Sequence, residues 1–219
     1  MPYAMFEKPE NGDTMLFYDT PDPAPNPRRV RIFASEKGID LPTQIVSIRD
    51  REHKGEDYLK VNPLGQTPAL ALDDGTVLTE SVSICRFLDA RHPKPPLFGT
   101  TPVEIAQIDM WIRRVELKLM VPTGMIWVHT HPFTARIMPK QYTEFGESNR
   151  PLVASAQKFF DRALGETPFV AGETYTMADI VLLTTIDFGT FIGLTIPEEL
   201  QRLNDWHRRM SARPSASAA

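Results

Sequence analysis

The chain has 219 residues, of which 42% are hydrophobic and 24% charged, with a formal net charge of −4. That length suits one large or two small domains with a proper core, and the mildly acidic balance excludes nucleic-acid binding through a basic electrostatic footprint. A single cysteine, Cys85, excludes an internal disulfide and suits a reducing compartment.

Residues 1–12, with Glu7, Pro9 and Glu10, lack the basic start and apolar centre of a signal peptide. Asp187, several threonines and two glycines interrupt the stretch from Ile180 to Ile196, so no membrane span is expected and the default location is cytoplasmic. Met15–Tyr18 reads as a first strand ending at Asp19, and Asp22-Pro23-Ala24-Pro25 is too rich in proline for regular structure. A helix is expected immediately after it, with Asn26 as N-cap, Pro27 at the first helical position, Val30, Phe33 and Ala34 at helical spacing, and Gly38 as its end. Arg28, Arg29 and Arg31 read as a solvated face of that helix. Thr43–Ile48 reads as a second strand, and the polar segment Arg49 to Asp57, taken alone, as a solvated loop.

Pro68 closes the stretch Asn62-Pro63-Leu64-Gly65-Gln66-Thr67 and opens the apolar run Ala69 to Leu72, where a proline marks a strand edge or entry point. A cis Thr67–Pro68 bond would turn the Thr67 N–H and C=O outward to pair with an extended peptide. An ordinary turn before a strand fits the same residues. Asp73-Asp74-Gly75 signals a hairpin that delivers Glu80 and Ser81 beside the proline loop. Ser81 stands where an N-cap belongs, ahead of an apolar stripe of Ile84, Phe87 and Leu88. The spot is therefore either an anion site or only a cap. Strand, helix, strand, helix, hairpin and helix together predict an α/β domain with a mixed sheet over residues 14–91.

Residues 92–100 contain Pro93, Pro95, Pro96 and Gly99, the composition of a linker, and residues 101–212 are helical in pattern throughout. Thr101-Pro102-Val103-Glu104 is a capping box leading into a stripe of Ile105, Ile108, Ile112, Val115 and Leu119, which Pro122 and Gly124 are expected to break or kink. Further helices are expected over Pro151–Leu164, after a second box at Thr176–Asp179 and around Glu198–Met210. The one after Thr176 is apolar nearly all round and hence buried. The small-residue tail after Met210 is expected to be disordered.

From Thr14 to Ala90 these motifs resemble the thioredoxin-like N-terminal domain of cytosolic glutathione transferases, and the remainder is similar to their all-helical C-terminal domain. The resemblance implies that Thr67, before Pro68, pairs with the cysteinyl backbone of glutathione, and that Glu80 and Ser81 hold its γ-glutamyl end. His53-Lys54 precedes Gln66 by thirteen residues, a spacing similar to the phi class, which implies that these three hold the glycyl carboxylate and backbone. A receptor of that kind suits a ligand with two carboxylates and one ammonium. The Thr-x-x-Asp box at residues 176–179 resembles the family's C-terminal-domain folding element. A cytoplasmic homodimer with a role in detoxification is implied as well.

Conjugation needs the glutathione thiolate, and an ordinary thiol with a pKa near 8.5 is only a few per cent ionised at neutral pH. Relatives with a Ser or Cys at the head of the first helix differ from this chain, where Ala24 offers neither. The segment Ala24-Pro25-Asn26 resembles asparagine-type relatives, which implies Asn26 as thiolate stabiliser; capping alone is its competing role. Tyr18 is the second candidate donor, with core packing as the alternative. Cys85 lies outside any position for a cysteine mechanism and reads as a small buried hydrophobe. His129 and His131 lack an evident third ligand, so no metal is expected. The aromatic stretch Met125–Phe133, including Trp127, together with Met110, Trp111 and Arg114, lines either an apolar co-substrate cleft or the helical core and a dimer contact. The expected activity is a glutathione transferase acting on an apolar electrophile. Glutathione-dependent peroxide or disulfide reduction and a non-catalytic glutathione-binding scaffold are the alternatives.

Overall fold

The computed structural model describes residues 15–21 and 23–218; the reading of residues 1–12 and the domain start at residue 14 lie outside them. The first part of the chain runs β1 (Leu16–Asp19), α1 (Pro25–Lys37), β2 (Thr43–Ile45), α2 (Glu56–Val61), β3 (Ala69–Ala71), β4 (Val77–Thr79) and α3 (Ser81–Arg91). The sheet order is β2-β1-β3-β4, with β1 parallel to β2 and antiparallel to β3, and β3 antiparallel to β4.

Side chains alternate across a strand, and that alternation divides the core. Phe17 and Leu70 are paired in register and pack on one face with Val30 and Phe33 of α1 and Ile84 and Leu88 of α3. Tyr18 and Ala69, one step along, pack on the other face with Val46 and with Tyr58 of α2. Two faces covered by helices on a mixed sheet make this a thioredoxin-like domain.

The remainder is helical: α4 (Pro102–Val115), α5 (Val121–Thr130), α6 (Thr143–Glu147), α7 (Arg150–Ala163), α8 (Met177–Phe191) and α9 (Gln201–Ser211). Both capping boxes form as the sequence predicts, at Thr101/Glu104 and Thr176/Asp179. Almost every side chain of α8 from Met177 to Gly189 is buried, so it is the central rod of the helical part. No helix among the described residues is long and apolar enough to cross a membrane.

Several expectations are corrected. Helix α1 begins at Pro25, with Ala24 in the cap position and Asn26 second in the helix. Ala24 precedes a proline, which drives it into extended backbone, whereas Pro25 is preset for the first helical position. Likewise Glu80, not Ser81, holds the cap position of α3. Its φ of 64° is uncommon for a residue with a Cβ. Strand β2 stops at Ile45, because Ser47 leaves the sheet to accept from the Asp50 and Glu52 N–H groups. Pro122 and Gly124 do not break the helical path. A π-helical turn over Glu116–Met120 joins α4 to α5, and a widened turn just ahead of Pro122 accommodates its missing N–H.

The arginines of α1 are not solvated. Arg29 is buried, donating toward Ser81 Oγ at 3.4 Å and to the hydroxyls of Thr184 and Thr185 at 3.3 Å each. Its desolvation lowers the guanidinium pKa to about 10, against the raising effect of Glu116. Arg31 pairs with buried Asp19 at 2.7 Å, and Arg28 pairs with Asp187 of α8. The tail is likewise ordered. Arg213 clamps Glu36 of α1 with two bonds of 2.8 Å, Arg28 donates to Ala216 C=O at 3.0 Å, and Ser215 and Ala216 are buried. Small residues read as disorder in sequence; here their smallness lets the backbone lie flat against α1.

Candidate active site

Asn62 builds the loop that the site depends on. Its side chain accepts from Leu64 N–H at 3.1 Å and donates to Gln66 C=O at 2.7 Å, while its own C=O accepts from Gly65 N–H at 2.8 Å. The Tyr58 hydroxyl adds a second donor to Gln66 C=O at 2.7 Å, and burial pushes that phenol up to about 12. Gly65 has a φ of +56°, and a Cβ there would stand 2.6 Å from His53 C=O. Glycine thus allows the His53–Lys54 turn to close onto the loop, and Lys54 Nζ seals the contact on Leu64 C=O at 3.0 Å. The Thr67–Pro68 bond is cis. Among the described residues no hydrogen bond uses the Thr67 N–H or C=O.

A cleft of about 860 Å³ opens between this loop and the helical part. One wall carries the head of α1 with Asn26, the segment from Ser47 to Lys54, and Gln66 and Thr67. The opposite wall carries Trp127, His131 and Phe133 from the end of α5, and Phe188 and Phe191 from α8. Trp127 is its centre, with ring centroids 4.2 Å from His131, 5.8 Å from Phe133 and 5.4 Å from Phe188. Polar donors therefore face an aromatic surface.

The head of α1 has few donors left. Pro25 and Pro27 have no N–H, and the Ala24 N–H turns back to Pro21 C=O at 3.5 Å. Asn26 thus supplies both its backbone N–H and its amide at the positive end of the helix dipole. Across the wall, burial and the neighbouring Lys54 charge hold the His53 imidazole below its ordinary range, partly offset by the Ser47 backbone. Its Nδ1 is buried without a hydrogen-bond partner among the described residues.

Of the residues singled out in sequence, Asn26, His53, Lys54, Gln66, Thr67 and Trp127 come together around the cleft, and Pro68 is buried directly behind Thr67. Glu80 and Ser81 lie beside the loop, since Thr79 pairs with Ala69, but are not among the cleft walls. Tyr18 is not brought to the cleft; its ring packs edge-on against Tyr58 at 5.7 Å in the core behind the sheet. Of the two expectations for Trp111 and Arg114, the cleft is not met and packing within the helical part is. The row Ile108, Ile112 and Val115 on α4 is buried, and the neighbouring face carrying Trp111 and Arg114 meets Phe159 of α7 instead, with the guanidinium 4.6 Å over the Trp111 ring. Met110 is exposed on α4 away from the cleft. Cys85 is fully buried and burial raises its thiol pKa, as a small hydrophobe would be placed. His129 packs edge-on to Tyr142 and Phe145, and among the described residues no three His, Cys, Asp or Glu side chains are grouped to hold a metal ion.

Thr20, Phe188 and Phe191 were not singled out as site residues. The two phenylalanines sit three apart at the end of a helix that reads as core, and only the packing of α8 against the cleft distinguishes them. Thr20 carries no sequence signal.

A thioredoxin-like sheet domain joined to a helical domain, with a polar-to-aromatic cleft at the seam, defines a two-domain α/β-plus-α class of fold. Residues 24–91 match the family model "Glutathione S-transferase, N-terminal domain" and residues 126–214 match "Glutathione S-transferase, C-terminal domain". The chain is 37% identical over 204 residues to glutathione S-transferase 2 of Saccharomyces cerevisiae, covering 92% of this chain and 87% of that one. It resembles the solved structure of Gtt2 from the same yeast with a TM-score of 0.87 and 35% identity, over 91% of this chain and 97% of that one. A glutathione S-transferase domain-containing protein of Marinobacter aquaeolei VT8 has a TM-score of 0.88 and 33% identity, over 92% and 100% of the two chains. The chain belongs to the glutathione S-transferase family.

Proposed function

We propose that the protein is a glutathione transferase that activates the glutathione thiol at the head of α1 and directs it at an apolar electrophile. The tripeptide lies extended, its cysteinyl backbone paired with Thr67 and its glycyl carboxylate near His53, Lys54 and Gln66. Its γ-glutamyl end reaches Glu80 and Ser81, and the sulfur meets Asn26. The electrophile rests on the Trp127 wall. The observation that carries this reading is the pairing of walls in one cleft, with the unspent donors of Asn26 and Thr67 opposite the aromatic rings. Each unit by which the thiol pKa falls needs about 1.36 kcal/mol of preferential thiolate stabilisation. One charge-assisted hydrogen bond and a helix N-terminus supply roughly one or two units.

Ultraviolet titration of the thiolate in the glutathione complex tests the reading. The thiol pKa is expected to fall by about one to two units from the free value near 8.5. Tight binding with an unshifted thiol would instead support a non-catalytic binding module, and no binding would sink both. Ser81→Ala is expected to weaken glutathione binding by about 1–2 kcal/mol, the scale of a hydrogen bond to a charged group. An unchanged dissociation constant by calorimetry would remove Ser81 from the receptor.

A further inference from the structure

We infer that Thr20 is a positioning residue for this chemistry, its hydroxyl being the joint that locks three segments of the donor wall to one another. The inference rests on the glutathione reading above. Thr20 follows β1, is buried and borders the cleft. All of its polar groups are committed. Its N–H donates to Asp19 Oδ1 at 2.7 Å, and its C=O accepts from Arg31 Nη1 at 3.2 Å. Its hydroxyl donates to Val46 C=O at 2.9 Å and lies 2.8 Å from the Thr67 hydroxyl. A hydroxyl has one proton to give, so with Val46 as its acceptor Thr20 must accept from Thr67.

Each partner belongs to a different part of the wall. The chain after Thr20 leads to Asn26. Val46, whose N–H is also tied to Asp19 C=O at 2.8 Å, begins the run to His53 and Lys54. Thr67 is the proposed anchor of the peptide backbone. One oxygen thus sets the spacing between the helix head that takes the sulfur, the turn that takes the glycyl end, and the edge between them. Catalytic geometry tolerates little drift, since a displacement of about 1 Å can cost on the order of a hundredfold in rate. Valine at position 20 has the same shape but leaves Val46 C=O and the Thr67 hydroxyl without this partner.

The test is steady-state kinetics with glutathione varied, and pH–rate profiles, for Thr20→Val and Thr20→Ser in the full chain. Thr20→Val is expected to raise KM for glutathione about five- to tenfold, the scale of one lost hydrogen bond, and to move the acid limb of kcat, which reports the bound thiol, to higher pH. Thr20→Ser, which keeps the oxygen and loses the methyl, is expected to restore both. A packing role alone would shift the melting temperature and leave serine no better than valine; that pattern, or a wild-type KM and pH profile in folded Thr20→Val, overturns the inference. Should Thr20→Val not fold, Thr67→Val cuts the same bond from the other end, and an unchanged KM there is equally fatal. Wild-type protein that binds no glutathione by calorimetry would defeat the functional reading itself, whereas normal binding indifferent to both hydroxyls defeats only the role of Thr20.

Discussion

Asn26→Ala is expected to reduce kcat by about 10- to 100-fold, the equivalent of a hydrogen bond to a charged group at roughly 1.5–3 kcal/mol, with glutathione affinity nearly unchanged. The two proline neighbours make the effect concentrated. Neither Pro25 nor Pro27 can donate, so the amide of Asn26 has no substitute in the first turn. In the proposed mode, binding is instead spread along the Thr67 edge, the His53–Lys54 turn and the Glu80–Ser81 corner. The backbone N–H and the helix dipole persist in the variant, so activity falls without vanishing. The acid limb of the pH–rate profile is expected to rise with the thiol pKa, since less thiolate is present at a given pH. Turnover equal to wild type would show that the backbone alone holds the sulfur.

The parts of this site legible in the sequence are those whose partners are close along the chain. Asn62 bonds Gln66 four residues on, the Thr176/Asp179 box closes over three, and the Asp74 turn to Thr76 over two; in each the residue types announce the geometry. The glutathione family was legible through such local motifs. What escaped has distant causes. Arg29 reads as a surface residue until Thr184 and Thr185, over 150 residues away, are packed on it. The tail reads as disordered until Glu36, 177 residues before Arg213, holds it. Trp111 and Phe188 mark a third limit: helical spacing shows that a face is apolar but not which neighbour covers it.

Asp179→Ala is expected to cost about 3–5 kcal/mol of folding stability, the range for removing one partner of a buried charged network. The carboxylate is wholly buried and accepts four bonds: Val170 N–H and Thr176 N–H at 3.0 Å, the Thr176 hydroxyl at 3.2 Å and the Trp206 indole N–H at 3.0 Å. It therefore joins the start of α8 to the preceding loop and to α9, and its loss strands four donors in the core. Asp179→Asn keeps the shape but turns an NH₂ toward donors, so it is expected to lie between alanine and wild type. Burial raises the carboxyl to about 6, outweighing the four donors that pull it down. Because the unfolded value is near 3.9, between about pH 4 and 6 the folded state binds more protons than the unfolded one, and this group's stability contribution rises as pH falls. The gap in urea-denaturation stability between wild type and Asp179→Ala is therefore expected to widen from pH 7 to pH 5. A gap that stays level over that window and narrows only below about pH 5 would mean that the four donors prevail over burial and that the folded carboxyl titrates below its unfolded value.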